Sequence, residues 1–336
     1  MRIVFLANPI ADYLQDTVFH GLATILGSDN VIEYPALPRY HSGATPGPGY
    51  PAYRLDFPEP PRPSFREAVA AADAVVIGSL REGVRGHVEE LLSMRSTPPI
   101  ALLDGEDDFY VRRIHSRVDV YCKRETLVSG WGPAAYMTLR RMYRRLRRRA
   151  PSDPLAQFVR PALARDRSLV PLPFAWTGPL RERRQIEYDV TFLSPPSIPE
   201  RVLAHSGVEA LRADGIRVRT LDAGERLDWN EYMDILASSR ISVSVRGGGF
   251  DTYRYWEIPA AGAMLLAETP RIVIPGNFVD GLEAVFAPVE KLISRVPALL
   301  EGDTETIARN GREKLLAAHT SVHRAQTVLH AIEAIS

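Results

Sequence analysis

The 336-residue chain balances 41 Lys and Arg against 41 Asp and Glu, and 45% of its residues are hydrophobic against 24% charged. That balance excludes a disordered or fibrous chain and argues against a generic polyanion coat, so no nucleic-acid partner is expected; the length suits two domains. Three of the basic residues are lysines (Lys123, Lys291 and Lys314), so an individual arginine carries less functional meaning than usual. Cys122 is the one cysteine, which excludes an intrachain disulfide and a cysteine-built zinc site. The opening MRIVFLANP reads as a strand and not as a signal peptide. The longest apolar run, residues 258–267, falls well short of the roughly 20 residues that a membrane span needs. The expectation is a cytoplasmic protein, soluble or bound at the inner face of the membrane.

In chain order, residues 3–7, 31–34, 74–77, 100–103, 118–121 and 169–173 read as buried strands, with amphipathic helical stretches such as 65–72 and 84–92 between them. Such alternation predicts a parallel sheet covered by helices on both faces. A Pro-, Gly- and Tyr-rich stretch over 35–63 is too long for an ordinary connection and reads as a functional loop or flap. After an Arg-rich connection at 181–187 the pattern restarts. Strands are expected at 189–193, 216–221, 241–245 and 263–267, helices at 197–213, 230–238 and 253–261, and an all-helical ending over 289–336. The fold class is therefore α/β, with two Rossmann-like parallel-sheet domains facing a central cleft and helices at the C terminus. The expected division is 1–182, 183–320, and a terminal helix over 321–336 packing across the domains.

The segment 241–268 holds the densest chemistry. A buried strand runs into Arg246, then Gly247, Gly248 and Gly249, then a helix capped by Asp251 or Thr252 with Tyr253 and Arg254 at its start and Glu257 in its second turn. Glycines let backbone N–H groups approach a ligand closely, a helix N-terminus favours phosphate, and two guanidinium forks suit the same anion. A carboxylate one turn into the helix can accept from a ribose diol. The plain alternative is a capped glycine turn with Glu257 facing solvent. The segment is neither a Walker sequence nor a G-x-G-x-x-G fingerprint.

These residues resemble a known family. R-x-x-E-x-x-A-x-G over Arg254, Glu257, Ala260 and Gly262 is similar to the helix motif of group 1 glycosyltransferases of the GT-B fold, nearest to the spore-maturation-protein-like branch. The run Ile307, Arg309, Asn310, Gly311 and the H-T-x-x-x-R segment of His319, Thr320 and Arg324 resemble that branch's ending. Phe278, Gly281 and Glu283 resemble its F-x-x-G-x-E loop. The likeness covers roughly 189–331. It implies a metal-independent glycosyltransferase with no cofactor, taking a nucleotide-diphosphate sugar on Arg246, the three glycines, Asp251, Tyr253, Arg254 and Glu257. Glu257 is the residue implied to meet the ribose. The E-x7-E pair of retaining members is absent, because Gly249 stands eight residues before Glu257; the stereochemical outcome stays open. The alternatives are a sugar-nucleotide epimerase of the same fold and a nucleotide- or glycan-binding scaffold without turnover.

Candidate acids and bases lie in the first half. Asp104, Glu106, Asp107 and Asp108 follow a buried strand, where a carboxylate can act as base toward an acceptor hydroxyl. They can equally form a turn balanced by Arg112 and Arg113, or hold a divalent metal through Asp104 and Glu106. Asp16 and His20, four apart, can share a proton on a helix, or His20 merely packs. Lys123 and Arg124 can meet an acceptor anion or form salt bridges. His319 and His323 have zinc-chelate spacing but lack the glutamate and a third ligand; the resemblance implies instead that His319 and Arg324 anchor the terminal helices. In 139–149, apolar Leu139, Met142, Tyr143 and Leu146 share a helical face, and seven arginines, Arg149 the last of them, fill the rest. Such a helix suits anionic lipid or a polyanionic acceptor, or else packs with its charges solvated.

Overall fold

The computed structural model describes residues 1–10, 12–41, 55–129, 154–222 and 224–335. The basic stretch 139–149 and the flap's middle, 42–54, lie outside the described residues. The chain divides into two compact units. One comprises Met1–Thr177, Arg271–Pro275 and Ser321–Ser336; the other comprises Gly178–Pro270 and Gly276–Thr320.

The first unit is built on β1 (Ile3–Leu6), α1 (Tyr13–Leu26), β2 (Val31–Tyr34), α2 (Phe65–Ala70), β3 (Ala74–Ile77), α3 (Arg85–Ser93), β4 (Ile100–Asp104), β5 (Tyr110–Arg112), β6 (Val120–Lys123), β7 (Phe158–Pro161) and β8 (Leu169–Pro171). Six of these strands form one sheet in the order β2-β1-β3-β4-β6-β8, parallel throughout. The strands IVFL, AVVI and IALLD are buried along their whole length, as strands covered on both faces must be, which is why the sequence shows unbroken apolar runs there and not alternation. Leu6, Ile77, Leu102, Val88 and Leu91 lie in one core cluster with their neighbours. Helix α1 starts where the Asp12 side chain accepts from the N–H groups of Leu14 and Gln15, and α2 starts on a Ser64/Glu67 capping box. The short antiparallel pair β5–β7 gave no sequence signal, because each strand is too brief for its period to register.

The second unit is built on β9 (Tyr188–Phe192), α4 (Pro199–Ala210), β10 (Val218–Thr220), α5 (Trp229–Ala237), β11 (Ser239–Ser244), α6 (Tyr253–Ala261), β12 (Met264–Glu268), β13 (Val285–Ala287), α7 (Val289–Leu292), α8 (Val296–Glu301) and α9 (Thr304–Ala318). Its sheet order is β10-β9-β11-β12-β13, again all parallel. Helix α4 begins at Pro199, whose missing N–H is harmless in the first turn, and so it starts two residues later than its apolar pattern implies. Helix α6 has the expected bounds. It stops because Gly262 takes φ +82°, a left-handed conformation that closes the helix. The final helix, α10 (Ser321–Glu333), belongs to the first unit. It packs on α1 at Gly21, where a Cβ would fall 2.1 Å from the Ser321 carbonyl oxygen. Buried Arg324 donates to the carbonyl oxygens of Pro173 and Phe174, each at 2.9 Å.

Both sheets reverse their strand order beside their first strand, between β1 and β3 and between β9 and β11. In doubly wound sheets ligands bind outside the carboxyl ends of the strands at that reversal. In the second unit those carboxyl ends carry the glycine segment and the first turn of α4.

Candidate functional site

The chain leaves β11 through Val245 into Arg246 and the three glycines, where the Gly247 N–H donates to the Gly249 carbonyl at 3.0 Å and folds the bend on itself. Gly247 and Gly248 are half-buried and Gly249 buried. Thr252 stands at the N-cap of α6 but makes no side-chain cap bond; its hydroxyl lies 3.1 Å from that of Ser244. Asp251, the other expected cap, is buried and accepts from the Trp256 indole N–H at 2.9 Å. It orients the helix core, and a cap role is corrected. Tyr253, the first residue of α6, and Arg254 are half-buried.

Arg246 is not a bare cation. Its guanidinium pairs with Glu200 and lies 3.7 Å from Glu268, it rests 5.2 Å over the Phe250 ring, and its backbone N–H donates to Glu268 at 3.1 Å. The cation that closes on the glycines is Arg201, in the first turn of α4. Its Nε donates to the Arg246 carbonyl at 3.0 Å, and its Nη2 would stand 2.7 Å from a Cβ on Gly247. The glycine leaves open the space that the end of the guanidinium fills. Sequence reasoning missed Arg201. The one available signal was topological, because the helix after the first strand of a doubly wound unit faces the same reversal as the glycines.

Glu257 is buried, 7% exposed. Tyr232 of α5 donates its hydroxyl hydrogen to Glu257 Oε2 at 2.6 Å. Burial pushes the Glu257 carboxyl above its ordinary range, while the Tyr232 bond and the Arg254 charge pull the other way. Glu257 therefore does not face solvent, and this excludes the plain capped-turn alternative at that position. The motif residues nearer the C terminus serve architecture. His319, fully buried, sits 2.9 Å from the Gly276 carbonyl through Nε2, which must therefore donate, and packs its ring on Trp256 and Phe278. Asn310 donates to the Leu282 carbonyl at 3.1 Å, and Gly311 allows α9 to touch the Glu283 carbonyl.

In the first unit the acid run forms an ion-pair network. Asp104, 2% exposed, receives the Lys123 ammonium at 3.0 Å, the Arg112 Nε at 3.3 Å and the Tyr121 hydroxyl at 2.5 Å. Burial raises its pKa, but Lys123 and Arg112 outweigh that and hold it below the ordinary carboxylate value. A carboxylate so held is a counter-ion and a poor base, which corrects its expected role. Glu106 pairs with Arg81 at 2.9 Å. Among the described residues no group of three or more His, Cys, Asp or Glu side chains converges as a metal site. Lys123 and Arg124 are themselves buried in ion pairs, Arg124 with Asp107 and over the Phe174 ring at 4.3 Å. Of the two sequence readings, these contacts are the salt-bridge one. Of Asp16, His20, Asp104 and Asp107, Asp107 has an exposed side chain, at 57%.

Asp16 and His20 do not share a proton. Asp16 accepts from the Tyr40 hydroxyl, from Gln15 at 3.2 Å and from Arg39 at 3.3 Å. His20 turns its Nδ1 to the Ser321 hydroxyl at 2.8 Å. Burial pushes Asp16 up to about 6 and His20 down to about 4. Asp16 is buried and His20 half-buried, each with another partner, which the four-residue spacing alone did not reveal.

Residues 192–330 match the family model described as glycosyl transferase-like. Among solved structures, HepE of Anabaena, crystallised with UDP and glucose, is 10% identical, with a TM-score of 0.55 over 99% of each chain. An α-glucosyltransferase in complex with UDP and a 13-mer DNA is 10% identical, with a TM-score of 0.50 over 99% of each chain. The chain spans little more than half of other matched structures, 57% of the chain matched in the GtfA/B complex and 54% of TarM. No curated protein sequence matches. The fold is that of the GT-B class, two parallel-sheet α/β domains with accompanying helices. The family-model match falls on 192–330, most of it in the second unit. Among the described residues no helix is long and apolar enough to cross a membrane.

Proposed function

We propose that this chain is a glycosyltransferase that moves a sugar from a nucleotide-diphosphate sugar to an acceptor hydroxyl, with the donor held by the second unit. The observation that carries the reading is the convergence of a glycine bend, the Arg201 guanidinium and a helix N-terminus at the carboxyl end of β11, with buried Glu257 one turn inside the helix. Backbone N–H groups of the bend and Arg201 would take the diphosphate, and Arg246 lies behind them on its two carboxylates. The leaving diphosphate is then stabilised by fixed charges and dipoles, without a cofactor or metal. Glu257 would take the ribose diol.

Asp107, exposed at the carboxyl end of β4, is the proposed base toward the acceptor. The acceptor class is a glycan, a lipid-linked sugar or a small molecule, met in the cytoplasm or, through residues 139–149, at the inner membrane face. The motifs over 254–262, 278–283 and 307–324 support the spore-maturation-protein-like branch.

A thermal-shift panel of uridine, guanosine, thymidine and cytidine diphosphates tests the donor site. At a hundredfold excess over Kd a true ligand adds about 2.7 kcal/mol of stability. No shift with any of the four overturns the reading. With UDP-glucose as first donor, release of free sugar or transfer marks a transferase. A new sugar nucleotide formed without acceptor marks an epimerase instead.

A further inference from the structure

Glu257 does not choose its own orientation. Its carboxylate lies inside the unit, between α6 and the neighbouring α5, and the polar side chain that reaches it from α5 is Tyr232, whose hydroxyl donates to Oε2 at 2.6 Å. Arg254, one turn earlier on α6, adds a positive charge that works against the rise burial gives the Tyr232 phenol. The tyrosine hydrogen is thus committed to the Glu257 carboxylate. No hydrogen bond from a described residue reaches the other carboxylate oxygen, Oε1.

The helix that presents Tyr232 is itself held in place. Its N-cap Asp228 accepts from the Glu231 N–H at 2.9 Å. Asp234 receives Arg184 at 2.8 Å and Arg181 at 3.5 Å. The Tyr232 ring lies against Trp229 with centroids 5.8 Å apart and planes 28° from parallel. A phenol anchored at both ends defines where a carboxylate bonded to it must point, which is what a geometrically demanding contact requires of its supporting residue.

We infer that Tyr232 is a positioning residue of the donor site: by occupying Oε2 of Glu257 it leaves Oε1 as the acceptor for the ribose diol. The inference rests on the proposed reading of Glu257 as the ribose contact. It goes beyond it by naming the residue that makes one carboxylate oxygen, and not the other, available to the ligand.

The test is calorimetric titration of the full-length protein and its Tyr232→Phe variant with uridine diphosphate and with 2′,3′-dideoxyuridine diphosphate, and with the corresponding guanosine pair. The variant keeps every carbon atom of the ring, and its binding of the dideoxy ligand reports that the site is intact. The wild-type protein should prefer the diol over the dideoxy ligand by roughly tenfold or more, the worth of a hydrogen bond to a charged group. Tyr232→Phe should remove most of that preference by weakening the diol ligand alone. A variant that keeps the wild-type preference overturns the inference and leaves Glu257 as ribose contact standing. Equal weakening of both ligands, or loss of both, assigns Tyr232 to general packing and overturns it too. A wild-type protein with no preference, or with no affinity for either nucleotide series, overturns the Glu257 reading itself.

Discussion

Lys123 places its ammonium 3.0 Å from Oδ1 of Asp104 at a point where neither side chain is exposed. The pairing is set by the sheet, since Asp104 and Lys123 are partners in the parallel register of β4 and β6. Arg112 and the Tyr121 hydroxyl complete the enclosure of the carboxylate. Replacing Lys123 with Met leaves Asp104 and Asp108 one cation short in the interior. The expected loss is about 3–5 kcal/mol, the usual result of breaking a buried pair from one side, read by urea denaturation of wild type and variant. A loss within 0.5 kcal/mol, on the order of a neutral surface substitution, would show that the pair does not hold the unit together. Because Asp104 is held below its ordinary pKa, its contribution is fully present above about pH 4 and is lost as acid protonates it.

Asp16 works in the opposite sense. Burial, the largest influence, pushes it up to about 6 against the pull of Arg39 and Tyr40, so the folded chain binds this proton more tightly than the unfolded chain. Stability therefore falls as pH rises from about 4 through 6, by on the order of 2–3 kcal/mol from this group. Asp16→Asn, which can still accept from Tyr40, should flatten that part of the curve of unfolding free energy against pH. An unchanged slope in the variant would mean that Asp16 stays ionised throughout the range.

Arg201 and Arg246 should respond differently to removal. Arg201→Ala takes away the guanidinium beside Gly247 and should weaken nucleoside diphosphates by about 1.5–3 kcal/mol, the range for hydrogen bonds to charged groups, while leaving the bare nucleoside unaffected. Arg246→Ala strips the shared counter-ion from Glu200 and Glu268 and should lower the melting temperature as well. Isothermal titration and thermal melting of both variants separate the two; equal affinity of Arg201→Ala and wild type for the diphosphate removes Arg201 from the site.

Gly311→Ala tests the architecture behind the site. A Cβ there would stand 2.3 Å from the Glu283 carbonyl oxygen, and backbone cannot swing aside as a long side chain can. Helix α9 must shift, at an expected cost of about 1–3 kcal/mol, seen as a lower melting temperature. Gly86, whose added Cβ meets nothing within 4 Å, is the matched control, and its Ala variant should melt with the wild type.

The sequence alone settled the helix that carries Glu257, because three local signals agree there: apolar runs before it, glycines before it and Gly262 after it. It settled the strands of both sheets that lie in unbroken Val, Ile and Leu runs, since strands buried on both faces announce themselves by composition. Strand β13 stayed hidden, being three residues long. The acid run at 104–108 was found, and Arg112 as a counter-ion for it, but a list of residues does not show that Lys123 from the next strand fills the space beside Asp104.

What composition and periodicity determined was the class of fold and the segment where ligand chemistry concentrates, for both are written in neighbouring residues. Partnership across the sheet was decided only by folding. It put Arg201 against Gly247 across 46 residues of chain, gave Tyr232 to Glu257 across 25, and sent His20 to Ser321 and not to Asp16. Charge and hydrogen-bond energies depend on distances of a few ångströms in a medium that excludes water, and sequence separation carries no information about either.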